Sequence, residues 1–166
     1  MVRKLMFLAS LLSFFTSCSG QVGSASYNAM LKTLLKHSVK EISVDSLEKC
    51  VNNVTLLDTR ELAEYNVSHI SGAKHVGYDK FDLKSVADIP KEKRIVVYCS
   101  VGYRSEKVTE KLIAAGYTNV SNLYGGIFEW VNQGNKVVDN TGKTTAKIHA
   151  YSKSWGVWLS KGEKVY

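Results

Sequence analysis

At 166 residues the chain fits one domain with appendages, long enough to bury a core without cross-links. Its 45% hydrophobic and 22% charged residues are ordinary for a globular protein, and three cysteines are too few for a disulfide framework. The net charge of +7 comes from scattered Lys and Arg, which suits small anions and argues against nucleic-acid binding.

Residues 1–17 read as a signal peptide, with basic Arg3 and Lys4, an apolar run from Leu5 to Phe15 and small polar residues before Cys18. That run is shorter than the ~20 residues needed to span a bilayer. Phe15-Thr16-Ser17-Cys18 resembles the lipobox of bacterial lipoproteins, in which Cys18 becomes the lipidated first residue; the alternative is ordinary cleavage nearby, for instance after Ala25. The expectation is export to the cell envelope or periplasm, with membrane contact through a lipid anchor only. Loss of Arg3 and Lys4 lowers the net charge to +5. Residues 18–38 then form a lipidated tether and an N-terminal helix. Ser19 to Ser26 is rich in Gly and Ser, and Met30, Leu31, Leu34 and Leu35 recur at helical spacing, predicting a helix over Tyr27 to His37 with His37 closing it.

The main domain is expected over residues 39–135 as an α/β unit, a mainly parallel sheet of about five strands with helices on both faces. Val39 to Ile42 reads as an edge strand, and Asp45 as the N-cap of a helix carrying Glu48. Cys50, near that helix's end, reads as a small apolar residue at the strands' amino-terminal edge. A five-residue strand is ~16 Å long and a disulfide needs Cα atoms within ~7 Å, which separates Cys50 from Cys99. Val54 to Asp58 is a buried strand and Arg60 to Tyr65 a short helix. Asp58 and Arg60 emerge at the carboxyl edge and read as supports. Asp58 would accept backbone N–H bonds while Arg60 pairs with a carboxylate, the other reading being that Arg60 helps to bind an anion. Ala73 to Val76 is a further strand, followed by a helical segment from Tyr78 to Ala87 that Pro90 stops.

Ile95 to Tyr98 has no polar alternation and predicts a central strand buried on both faces. Ser105-Glu106-Lys107-Val108 opens an amphipathic helix with Val108, Leu112 and Ala115 inward and Gly116 as its cap. Asn119 to Leu123 is another strand. Gly125-Gly126 lets a backbone pass close by before a helix carrying Ile127, Trp130 and Val131. Residues 136–166 form a β-rich extension, in which Val137 to Asp139 and Ala146 to Tyr151 flank a hairpin turn at Asn140-Thr141-Gly142-Lys143. Trp155, Trp158 and Tyr166 either cover a sheet edge or apolar patch, or form an interface or pocket wall.

Cys99 stands where the central strand becomes loop, the edge at which open α/β sheets bind ligands. A tight loop feeding a helix aims successive N–H groups at one spot, and the helix start adds partial positive charge. A thiol held there is expected to ionise below its free pKa of ~8.5 and act as a nucleophile. The run Cys99-Ser100-Val101-Gly102-Tyr103-Arg104-Ser105 resembles the active-site loop of single-domain sulfurtransferases of the rhodanese family. Leu56-Leu57-Asp58-Thr59-Arg60-Glu61-Leu62-Ala63-Glu64-Tyr65, His69-Ile70-Ser71-Gly72-Ala73 and Asn122-Leu123-Tyr124-Gly125-Gly126-Ile127-Phe128-Glu129-Trp130 resemble that family's other signatures, in the same order. Ser68 and Ser71 stand where the family usually has glycine and proline.

The resemblance implies transfer of sulfane sulfur from thiosulfate or a persulfide donor to a thiol or cyanide acceptor, through a persulfide on Cys99. The N–H groups of Ser100, Val101, Gly102, Tyr103, Arg104 and Ser105 would stabilise that persulfide, with Arg104 as a fixed cation and the Ser100 and Ser105 hydroxyls as donors. No metal and no cofactor are implied. Two rivals come from other classes. A cysteine phosphatase or arsenate reductase resembles Cys, five residues and Arg, whereas four residues separate Cys99 from Arg104 here. The other is a non-catalytic periplasmic binding module.

Overall fold

The computed structural model describes residues 22–166. The signal segment, Cys18 and the tether up to residue 21 lie outside the described residues. Helix α1 (Ala25–Leu34) is capped by Ser24, whose Oγ accepts from the Tyr27 N–H at 3.3 Å, and it buries Tyr27 and Leu31. It stops short of His37 because Glu106 captures the chain beyond it. The Glu106 carboxylate accepts from the N–H groups of Lys36 (3.1 Å) and Ser38 (3.2 Å). His37 therefore closes no helix, and pairs with Glu41 at 2.9 Å.

Strand β1 (Glu41–Ile42) leads to α2 (Val44–Glu48). The cap of α2 is Ser43 rather than Asp45, because the Ser43 hydroxyl meets the Ser46 N–H at 3.3 Å. Cys50 is half-buried with its thiol against the Ser46 carbonyl, and both Cys50 and Cys99 are free thiols. Strand β2 (Thr55–Asp58), helix α3 (Leu62–Val67), strand β3 (Lys74–His75) and a 3₁₀ turn at Leu83–Val86 follow. Glu61 and Glu64 close a capping box at the start of α3, each side chain accepting the other's backbone N–H.

Strand β4 (Ile95–Tyr98) feeds α4 (Tyr103–Ala114), and β5 (Val120–Leu123) feeds α5 (Gly126–Asn132). Helix α4 starts two residues earlier than its amphipathic pattern suggests, so Arg104 and Ser105 belong to its first turn. The five strands are all parallel in the order β1-β5-β4-β2-β3. Alternate side chains of β4 enter two cores. Ile95 and Val97 pack with Val108 and Leu112, while Val96 and Tyr98 pack with Leu31, Ile127 and Phe128. Covering both faces explains why β4 shows no polar alternation.

In the C-terminal extension, β6 (Val137–Val138) pairs antiparallel with β7 (Thr144–Thr145). The hairpin's second strand is thus not Ala146 to Tyr151 but the two residues before it. The chain leaves after Thr145 because β8 (Lys147–His149) has a better partner, pairing in parallel with β9 (Glu163–Val165) across the short helix α6 (Lys153–Gly156). The extension is fastened at several points, Asn132 of α5 bonding Trp158 and Ser160 among them. His69 and Val138 exchange backbone hydrogen bonds at 2.8 and 2.9 Å, and Trp158 stacks on Tyr27 with centroids 5.6 Å apart.

Candidate active site

Parallel strands joined by crossovers bring the carboxyl ends of β2 and β4 to one edge, and the loop after β4 turns there within four residues. Gly102 makes the turn, at φ +116° and as the residue before α4. Its carbonyl accepts from two side chains, Asn122 Nδ2 (3.0 Å) and Ser105 Oγ (3.1 Å), and from the Glu106 N–H (3.0 Å), and its own N–H donates to Cys99 Sγ at 3.1 Å. The far side of the loop is held by α5. The Ile127 and Phe128 N–H groups donate to the carbonyls of Cys99 (2.9 Å) and Ser100 (3.1 Å). This clasp needs glycine at 126, where a Cβ would run into the Cys99 carbonyl and lie 2.6 Å from that of Ser100.

Cys99 is only 1% exposed, yet it lies on the wall of an open cavity of about 360 Å³. Ser100, Val101, Tyr103 and Arg104 share that wall, whereas Gly102 and Ser105 are buried behind it. The first turn of α4 leaves its N–H groups without intrahelical acceptors, a ready site for negative charge.

Arg104 is not a free cation. Its Nη1 and Nη2 donate to Glu64 Oε2 and Oε1 at 2.7 and 2.8 Å, and Nη2 also reaches Ser100 Oγ at 3.0 Å. Ser100 in turn donates to Glu64 at 3.1 Å. Both expected hydroxyl donors are therefore engaged in the frame of the loop, Ser100 with Glu64 and Ser105 with the Gly102 carbonyl. Burial alone would push the Glu64 carboxyl up. The hydrogen bonds and charge of Arg104 outweigh it and hold the carboxyl below its ordinary value. Burial likewise opposes the charge on Arg104, but Glu64 and the nearby Cys99 sulfur overcome it and hold the guanidinium above its usual range.

Residues 43–133 match the family model described as a rhodanese-like domain. The chain belongs to the rhodanese family. A sulfurtransferase of Allochromatium vinosum is 33% identical over 103 residues, covering 60% of this chain and 95% of that protein. The thiosulfate:glutathione sulfurtransferase of Saccharomyces cerevisiae is 27% identical over 118 residues, covering 61% and 85%. A tRNA uridine(34) hydroxylase of Hamiltonella defensa is 34% identical over 108 residues, 62% of this chain, but the chain spans only 29% of that protein's length. The crystal structure of a rhodanese-related protein from Thermoplasma volcanium superposes with a TM-score of 0.55 at 26% identity, covering 60% of this chain and 97% of that one.

In this rhodanese domain Asp58 and Arg60 stand apart from the cavity. They pair with each other, through Arg60 Nη2 to Asp58 Oδ2 at 2.6 Å, and Asp58 also accepts the Arg60 N–H at 2.9 Å. Arg60 Nη2 reaches the Ser68 carbonyl at 2.7 Å, and neither side chain is exposed. Arg60 is thus a brace between loops and meets no anion in the cavity. His69 is also a brace, stacked on Tyr65 with centroids 3.8 Å apart. Glu64, Asn122 and Glu106 hold the loop and its approach, and sequence reasoning gave them no role. The Glu61–Glu64 spacing of a capping box was the available signal for Glu64. Trp155 lines the cavity together with Tyr151, whereas Trp158 covers the core at Tyr27, so the aromatic tail is divided between the two expected roles.

Proposed function

We propose that the protein is a sulfurtransferase in which Cys99 carries the transferred sulfur. The observation that carries this reading is the Gly102 N–H donating to Cys99 Sγ at 3.1 Å, on the wall of a cavity beneath the first turn of α4. The Cys99 thiolate attacks the outer sulfur of thiosulfate, the S–S bond of the donor breaks, and its electron pair leaves with sulfite. A thiol or cyanide then attacks the terminal sulfur of the Cys99 persulfide and restores the thiolate, a double displacement with ping-pong kinetics. The Gly102 N–H and the free N–H groups of Tyr103, Arg104 and Ser105 stabilise the charged terminal sulfur.

Incubation with thiosulfate and cyanide is expected to yield thiocyanate and, without acceptor, a mass gain of one sulfur on Cys99. Both disappear in Cys99→Ser. Phosphate release from an aryl phosphate without sulfur transfer would instead support a phosphatase, and inertness in both assays a binding module. We also propose that residues 1–17 direct export and that Cys18 carries a lipid anchor in the cell envelope. This is supported by Arg3, Lys4, the apolar run and the lipobox-like Phe15-Thr16-Ser17-Cys18. Mass spectrometry of the mature amino terminus is expected to find lipidated Cys18, and an unmodified Ser26 would overturn it.

A further inference from the structure

The cavity at Cys99 is built for more than a small anion. A five-heavy-atom ion such as thiosulfate fills at most about 150 Å³, taking ~30 Å³ per water-sized atom. The cavity of about 360 Å³ lies in the range that takes organic ligands. Its charge also disfavours a dianion. Among the described residues Arg104 is the sole Lys or Arg on the wall, and it is already matched by Glu64, while Glu61 and Asp79 add two carboxylates. Apart from Cys99 and Ser100 the remaining wall is apolar or aromatic, with Leu34 from α1, Tyr103 from α4, and Tyr151 and Trp155 from the extension.

Tyr151 is placed there at a cost in backbone conformation. It is a non-glycine residue at φ +64°, held by its N–H donating to His149 Nδ1 at 3.1 Å. This brings its ring to 5.3 Å from the Arg104 guanidinium, yet leaves it 54% exposed at the cavity mouth.

We propose that Tyr151 and Trp155 form a subsite for an aromatic or bulky apolar substituent on the sulfur donor, making an organic sulfane compound of low charge a better substrate than thiosulfate. This rests on Cys99 being the sulfur-accepting thiol. A thiosulfonate, R–SO₂–S⁻, meets the requirement. The thiolate bonds to its terminal sulfur, the S–SO₂ bond breaks, the sulfinate leaves with the electron pair, and cyanide then removes the sulfur as thiocyanate.

The test compares benzenethiosulfonate with methanethiosulfonate, equal in charge, on the full chain with cyanide as acceptor. The kcat/KM ratio is expected to favour the benzene compound by at least about tenfold in the wild type, and to fall severalfold in Trp155→Ala and in Tyr151→Ala. Tyr151, being half exposed, is the variant that keeps the test sound should Trp155→Ala unfold. A ratio near one in the wild type, or one unchanged in the variants, overturns the subsite. The role of Cys99 fails by a different result, in which no donor, thiosulfate included, yields thiocyanate.

Discussion

Two arginine–carboxylate pairs stand near the same edge of the sheet, and depth separates what they do. Asp58 and Arg60 meet at 2.6 Å with no exposure on either side chain, tied into the backbone at Arg60 and Ser68. Glu64 and Arg104 meet at 2.7 Å, with 15% of the Arg104 side chain exposed to the cavity beside Cys99. The enclosed pair answers only to the fold. The second can answer to a ligand, because what enters the cavity touches one of its partners.

Removing half of the enclosed pair has the largest expected effect. Asp58→Ala leaves the Arg60 guanidinium buried and unmatched, which costs about 3–5 kcal/mol, a large share of the ~5–15 kcal/mol that keeps a domain folded. Urea denaturation measures it. Replacing both partners with apolar residues of similar volume, as in Asp58→Leu with Arg60→Met, is expected to recover most of the loss. If the double variant is no better than the single one, the pair is more than a brace.

Much of this arrangement was legible in the sequence. The unalternating run Ile95 to Tyr98 revealed a strand covered on both faces, and Cys99-Ser100-Val101-Gly102-Tyr103-Arg104 revealed the loop that follows it. Gly125-Gly126 marked the close passage that the clasp on the Cys99 carbonyl requires. What stayed hidden depends on contacts far apart in the chain. Glu106 ends α1 from α4, 68 residues away from its bond at Ser38, and no local pattern around His37 encodes that. Glu64 neutralises Arg104 across 40 residues, so the loop alone gave Arg104 the look of a free cation. The hairpin was legible from Asn140-Thr141-Gly142-Lys143. The departure of Lys147–His149 to a parallel partner was not, because that partner lies across α6.

Gly126→Ala disturbs the loop without touching either pair. The added methyl meets the Cys99 and Ser100 carbonyls, and the residue sits at φ +58°. Stability is expected to fall by about 2–3 kcal/mol. Sulfur transfer should fall on the order of a hundredfold, since a shift of about 1 Å in a reacting group can have that effect. Thermal melts and kcat/KM for thiosulfate separate the two losses. A stable variant with unchanged kinetics would mean that α5 does not position Cys99.

The smallest effect bears most directly on the difference between the pairs. Glu64→Gln weakens two charged hydrogen bonds to Arg104 and is expected to cost about 2 kcal/mol. It also releases the guanidinium, so KM for thiosulfate should fall even as stability drops, whereas a pair serving only the fold would lose stability with KM unmoved. The stability difference should depend on pH with a definite sign. Arg104 holds the native Glu64 carboxyl below its ordinary value of 4.5, despite the opposing effect of burial. Between those two values the unfolded chain binds more protons than the native one. The contribution of Glu64 is therefore fully present above about pH 4.5 and is lost as the pH falls through the native value. Melting temperatures of the wild type and Glu64→Gln, compared from pH 7 down to pH 3.5, should stay apart and then converge on the acid side. Curves that keep a constant gap down to pH 3.5 would show that the Glu64 carboxyl is not held below its ordinary value, the cost of burial then cancelling its bonds to Arg104.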